Sequence, residues 1–474
     1  MGDMPEPTLE LHPDRLLPAD PGVRDIARRL YGSVKDLPII SPHGHVPPQW
    51  LADDINFQDP TSLLITPDHY VNRLLHSHGV ELSALGVNQQ DFSADQKREA
   101  FRTLCSNWHI YRGTPVKYWF EHTFAEVFGV DVVPSAETAD QIYDQISAAI
   151  ATPEYSVRSL YHRFNIEVMA TTDDPCDDLH WHQQLADDAS WDGRVLPAFR
   201  PDKYLEPARE DWNELTDNLA EASREDTSTW AGWVAAMENR RAYFKQHGAT
   251  STDHSHTDAG TEVLPQAEAE RIYLAARAGT ASVEECTALR RHMVTEQARM
   301  ACDDGLTMTI HPAVARSHDP AAFESYGADV GGDIPHAVEF TRALQPMLQR
   351  YGNHPNFNFV VFTMDETVYN RELGPLAGYY RSVYVGAPWW FIDAPETISR
   401  FRENVTISAG LLKTSGFIDD TRAFCSIPAR HDMSRRVDAS SLARLVAEHR
   451  LDEDQALTLA RRLVDDIPRT TFRL

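Results

Sequence analysis

Lysine is nearly missing from this chain. Lys35, Lys97, Lys117, Lys203, Lys245 and Lys413 are its only lysines, so 38 of the 44 basic residues are arginines, set against 71 acidic residues for a formal charge of −27. That balance repels phosphate backbones and anionic lipid, and it excludes nucleic acid and membrane surfaces as expected partners. An anionic substrate would be repelled at long range and must meet arginines placed locally. Cysteine is scarce as well. Cys105, Cys176, Cys286, Cys302 and Cys425 are odd in number and scattered, with no C-x-x-C pair, so reduced thiols are expected and neither a disulfide framework nor a zinc ribbon. No stretch approaches the roughly 18 apolar residues of a membrane span. The opening MGDMPEPTLELHP lacks a basic-then-apolar secretion signal, and Glu6 stands where myristoylation needs Ser or Thr. A cytoplasmic location is the expectation.

What is present fits an enzyme-sized globular body. Apolar residues make up 42% and charged residues 24% of 474 positions, near globular averages, and the length accommodates a barrel of about 250 residues with large insertions. Six short β-rich runs bounded by turn residues are predicted strands: 38–45, 166–175, 194–202, 307–313, 357–366 and 382–391. Two weaker segments, 248–256 and 415–424, bring the number to eight. Nearly every run passes from apolar residues into His, Asp or Arg at its C-terminal end, the layout of a barrel that holds its chemistry where strands feed into loops. Stretches with apolar spacing near 3 and 4 separate the strands, among them PHAVEFTRALQPMLQRYG, PETISRFRENVTISAGLLKTSG and SSLARLVAEHRLDEDQALTLARRLVDDI. The expectation is one α/β domain over 1–474, a distorted (β/α)8 TIM-type barrel with helical insertions at 72–160 and 203–305.

Within the first strand, residues two apart share a face, so His43 and His45 can reach one ion. Imidazole suits zinc and other transition metals. A bare H-x-H commonly means two ordinary histidines; its place at the end of an apolar strand is what favours a ligand pair. A catalytic site also wants an oxygen donor. Asp419 and Asp420, in FIDDTRAF, are candidates by position, although a helix cap or solvated turn would use the same residues.

Taken together, the motifs resemble the uronate isomerase family of the amidohydrolase superfamily. They are H-G-H followed by proline (His43, His45), P-D-H-Y-x-x-R (Asp68, His69, Tyr70, Arg73), F-R-P-D (Phe199 to Asp202), D-H (Asp253, His254), W-W-F (Trp389 to Phe391) and D-x-R-x-F (Asp420, Arg422, Phe424). The resemblance implies a distorted (β/α)8 barrel with extra helices. It implies that His43, His45 and Asp420 ligate or flank a divalent metal, zinc in first place and manganese or another transition metal otherwise. It also implies that His69, Tyr70, Arg200, Asp253, Trp389 or Trp390, and Arg422 contact a sugar acid. Ser41 departs from the acidic residue that the family often has there, and the stretch after Phe424 is about a residue longer than the family form, which leaves Arg430 and His431 unassigned. His254, His256 and His311 are further histidines without a settled role.

The chemistry so implied is aldose–ketose interconversion, D-glucuronate to D-fructuronate or D-galacturonate to D-tagaturonate. Asp420 is the expected base, Tyr70 with His69 the expected proton shuttle, and Arg200 and Arg422 the expected carboxylate partners, since a planar guanidinium pairs with both oxygens. Trp389 and Trp390 could cover the sugar's apolar face or simply pack. Two competing readings are a metal-dependent hydrolase acting on a sugar-acid lactone, ester or amide, and a sugar-acid binding protein without turnover. A small-molecule sugar acid is the expected partner, and a homo-oligomer is compatible with the sequence.

Overall fold

The computed structural model describes residues 8–474. Residues 1–7, on which the expectation about a secretion or myristoylation signal bears, lie outside the described residues. Seven short parallel strands form the frame: β1 (Ile39–Ser41), β2 (Ile166–Ala170), β3 (Arg194–Leu196), β4 (Ser251–Thr252), β5 (Thr307–Ile310), and, after the antiparallel pair β6 (Val314–Ala315) and β7 (Ile334–Pro335), β8 (Phe359–Val361) and β9 (Val383–Val385). The order is β1-β2-β3 in one ladder and β4-β5-β8-β9 in the other, all parallel.

Single backbone contacts join the two ladders into a ring. Phe199 bridges Asp173 on one side and Thr252 on the other. At the far end Thr414 bridges Val385, and the His45 N–H donates to Thr421 O at 3.0 Å. The eighth segment, 415–424, therefore occupies the closing position without forming a regular strand. Gly416 at φ +76° and Asp420 at φ +41° break its extended run, so it makes isolated bonds where a ladder was expected. The fold is α/β with a distorted, incompletely laddered barrel.

Strand residues such as Ile40, Val168, Met308, Ile310, Val360 and Val383 are buried, as strands covered on both faces require. Helices account for most of the remaining regular structure. Val283–Asp304 opens with a reciprocal Ser282–Glu285 capping box and leads into β5. The predicted C-terminal helical stretch divides into Ile427–Ala447 and Glu453–Arg461 because Asp452 starts a new capping box with Gln455. Ile427–Ala447 packs on the N-terminal helix Pro21–Val34, where Ala27, Leu30, Val34, Ala439, Leu442 and Ala443 form one apolar layer. Among the described residues, no helix is long and apolar enough to cross a membrane.

The arginine bias reaches the interior. Arg240, Arg241, Arg290, Arg402, Arg430, Arg435 and Arg436 are buried, and each of them is hydrogen-bonded. Arg402 meets Asp438 in a fork of two bonds at 2.6 and 2.8 Å, a geometry that an ammonium cannot supply. Asp438→Ala leaves that guanidinium buried and uncompensated, which costs about 3–5 kcal/mol. Glu403→Ala removes a half-exposed partner of Arg444 and should cost under about 1 kcal/mol. Thermal unfolding of the two variants side by side checks this: equal midpoints would show that the buried pair contributes nothing special.

Candidate active site

The C-terminal ends of the strands converge on a cavity of about 850 Å³. β1 stops at Ser41, earlier than predicted, so His43 and His45 stand on the segment leaving it. The His45–Thr421 backbone bond keeps that segment beside the closing segment. The two imidazoles meet edge to face, 5.3 Å between centroids. Asp420 Oδ1 lies 3.4 Å from His43 Nε2 and 3.0 Å from His45 Nε2. Asp419 points the other way and accepts from His431 Nε2 at 3.0 Å.

Next to this trio, Asp253 at the end of β4 accepts from His311 Nδ1 at 2.8 Å, and the His311 ring stacks on His43 at 4.9 Å. His311 Nε2 is buried and has no hydrogen-bond partner. Burial disfavours a charged His43, but the carboxylates of Asp253 and Asp420 outweigh it and push its pKa up to about 9. Asp420 shows the reverse balance: burial would raise it, yet the two imidazoles hold it well below the usual carboxylate range. A pocket that stabilises a proton on imidazole this strongly carries a negative potential. The donor atoms of His43, His45 and Asp420 lie within 4.8 Å of one another, so two imidazole nitrogens and a carboxylate oxygen fit a divalent transition cation.

The remaining predicted residues surround this point. Asp68 caps the helix His69–Ser77 by accepting from the Tyr70 and Val71 N–H groups, which delivers His69 and Tyr70 to the cavity wall as a stacked pair, 4.5 Å apart. Burial, aided by Arg422, lowers the His69 pKa to about 3, and burial raises that of Tyr70; both are neutral at physiological pH. Arg200 follows Phe199 and reaches Asp202 at 2.8 Å and Asp253 at 3.4 Å through Nε. Arg422 lies two residues beyond Asp420 and meets Asp329 at 3.3 Å. Trp389 is buried against His311, 4.7 Å away. Trp390 has φ +53°, a left-handed backbone that is uncommon for a bulky residue and costs on the order of 1–3 kcal/mol; it faces His69 at 5.7 Å.

Several wall residues had no sequence signal of their own. The β6–β7 hairpin brings Arg316, Asp329 and Asp333 over the opening; Arg316 pairs with Asp333 at 2.8 Å and stacks over Trp390 at 5.0 Å. Arg430, left unassigned by the sequence, sits 3.6 Å above the Trp119 ring and 5.1 Å above Tyr70. It also holds Asp393 at 2.7 Å, a carboxyl that burial pushes up to about 7.

This geometry has close counterparts. The family model for glucuronate isomerase matches residues 22–470. Uronate isomerase of Cutibacterium acnes is 55% identical over 471 residues, covering 99% of this chain and 100% of that protein. Among solved structures, glucuronate isomerase from Caulobacter crescentus aligns with a TM-score of 0.95 at 45% identity, over 98% of this chain and 97% of the other. Uronate isomerase from Thermotoga maritima aligns at 0.91 with 25% identity, over 98% and 99%. Matched along nearly all of its length in both sequence and fold, the chain belongs to the uronate isomerase family.

Proposed function

We propose that the chain interconverts aldose and ketose sugar acids, D-glucuronate with D-fructuronate or D-galacturonate with D-tagaturonate, at the His43–His45–Asp420 centre. The observation that carries this reading is the junction, in one cavity, of a cation-binding trio with two arginines and a neutral His–Tyr pair. When bound by the trio, a divalent cation supplies charge stabilisation for the oxygen that becomes anionic. Zinc is the ion this donor set suits first, with manganese or another transition metal as alternatives.

The net change moves one hydrogen from carbon 2 to carbon 1 and one proton from the carbon 2 oxygen to the carbon 1 oxygen. Asp420, ionised throughout the physiological range, takes the carbon 2 proton and returns it to carbon 1. Tyr70, a neutral phenol, donates to one substrate oxygen and accepts from the other, with His69 stacked beside it. Arg422 and Arg200 bind the substrate carboxylate and a hydroxyl, and Trp390 covers the ring-carbon face. Five free cysteines accord with a reducing cytoplasmic setting.

Purified protein supplied with a divalent metal should form ketose from at least one of the two acids, with no change in mass. Absence of ketose with both acids across zinc, manganese, cobalt and nickel would remove the assignment, and a product heavier by one water would favour hydrolysis. Asp420→Asn should keep its circular dichroism spectrum and lose turnover by about 10²–10⁴-fold; rates near wild type would place the base elsewhere. Arg422→Lys should act mainly on binding, raising KM by about tenfold for the loss of roughly 1.4 kcal/mol of forked pairing while kcat changes little. An unchanged KM would show that the carboxylate sits elsewhere.

A further inference from the structure

At the edge of the cavity, behind Asp202 in its wall, lie two buried histidines that the reaction does not use. His256 is completely enclosed, and its Nδ1 lies 2.9 Å from Glu206 Oε1. A carboxylate only accepts, so Nδ1 carries the hydrogen and Nε2 presents a lone pair. That nitrogen is buried with no hydrogen-bond partner. Opposite it, at 4.0 Å, is Asp202 Oδ1, too far for a hydrogen bond. Two acceptors facing each other are unfavourable unless a positive or donor group lies between them.

His254 completes the arrangement. It is fully buried, its Nε2 meets Thr252 Oγ1 at 3.2 Å, and its Nδ1 is buried without a partner. One ligand atom from each of Asp202, His254 and His256 falls within 4.8 Å of the others. Ligands at about 2.0–2.2 Å from a tetrahedral ion stand about 3.3–3.6 Å apart, so closure needs at most roughly 1.5 Å of movement between any two of them.

We propose that Asp202 Oδ1, His254 Nδ1 and His256 Nε2 form a second divalent-cation site, separate from the His43–His45–Asp420 trio, that takes a borderline transition cation such as zinc. Glu206 acts as the outer carboxylate that fixes the His256 tautomer, the usual support for a metal-bound imidazole. Binding selects the His254 tautomer in which Nε2–H donates to Thr252 and Nδ1 is free. Asp202 has capacity left, since Oδ2 accepts from Arg200 Nε at 2.8 Å and Oδ1 from the Ser255 N–H at 2.9 Å, and each oxygen carries two lone pairs. The Arg200 charge beside it makes this the weaker of the two sites. The ion would tie the turn after β3 to the turn after β4 and fix Asp202, and through it Arg200, in place.

Full-length protein dialysed against zinc should carry two zinc ions per chain by elemental analysis, falling to one in His256→Gln. Crystals of the wild-type protein grown with zinc should give two anomalous peaks at the zinc edge, one within bonding distance of His256 Nε2; that measurement needs no variant to fold. A single peak at the trio, or a count that stays at two in His256→Gln, overturns the second site. A peak at Asp202 with none at the trio supports it and removes the trio as the metal centre.

Discussion

Everything in this barrel turns on how the closing segment meets the first strand. Asp420 approaches the imidazoles of His43 and His45, and the Thr421 carbonyl accepts from the His45 backbone. These bonds hold the site and the seam of the ring at the same place. The closing segment has no ladder of its own, so its position is set by its ends: Thr414 on β9 and the long helix that starts at Ile427. That helix lies on Pro21–Val34, which leads into β1. The first and last elements are thus packed together behind the seam, and the apolar layer between them fixes what a regular strand would otherwise fix.

A second constraint is charge. In a chain of net −27, a cavity walled by Asp173, Asp174, Asp202, Asp253, Asp329, Asp333 and Asp420 would repel a sugar acid. Arg200, Arg316 and Arg422 offset this locally, each already paired with a carboxylate. Guanidinium is suited to that double duty, since its five donors can hold one partner and still present an edge to another. The same property explains why the buried cations are arginines: Arg402 on Asp438 and Arg430 between Trp119 and Asp393 need a planar fork and a face to stack.

Much of the frame was legible in the sequence because parallel strands buried on both faces read as apolar runs, and a barrel puts polar residues at the ends of those runs. All six stronger segments contain a strand, and the weaker 248–256 contains β4. The segment 415–424 did not become a strand, because left-handed residues at Gly416 and Asp420 are invisible to alternation patterns. The His43–His45 pair could be singled out by position at a strand end; position left Asp419 and Asp420 equal, and it was the D-x-R-x-F resemblance that chose Asp420, the one that stands against the imidazoles. Arg430 on Trp119 joins residues from a helix after the barrel and a helix between β1 and β2; no local spacing encodes such a meeting. The hairpin residues Arg316, Asp329 and Asp333 were hidden for the same reason.

The trio's arrangement along the chain bears on how the protein is made. His43 and His45 leave the ribosome long before Asp420, so a growing chain exposes an unpaired imidazole couple until the closing segment has been made. Such a couple binds metal weakly and without selectivity, whereas the carboxylate adds charge and a third donor. A cation that is to take all three donors must therefore wait until the turn at Asp420 and the helix behind it have docked on the first strand.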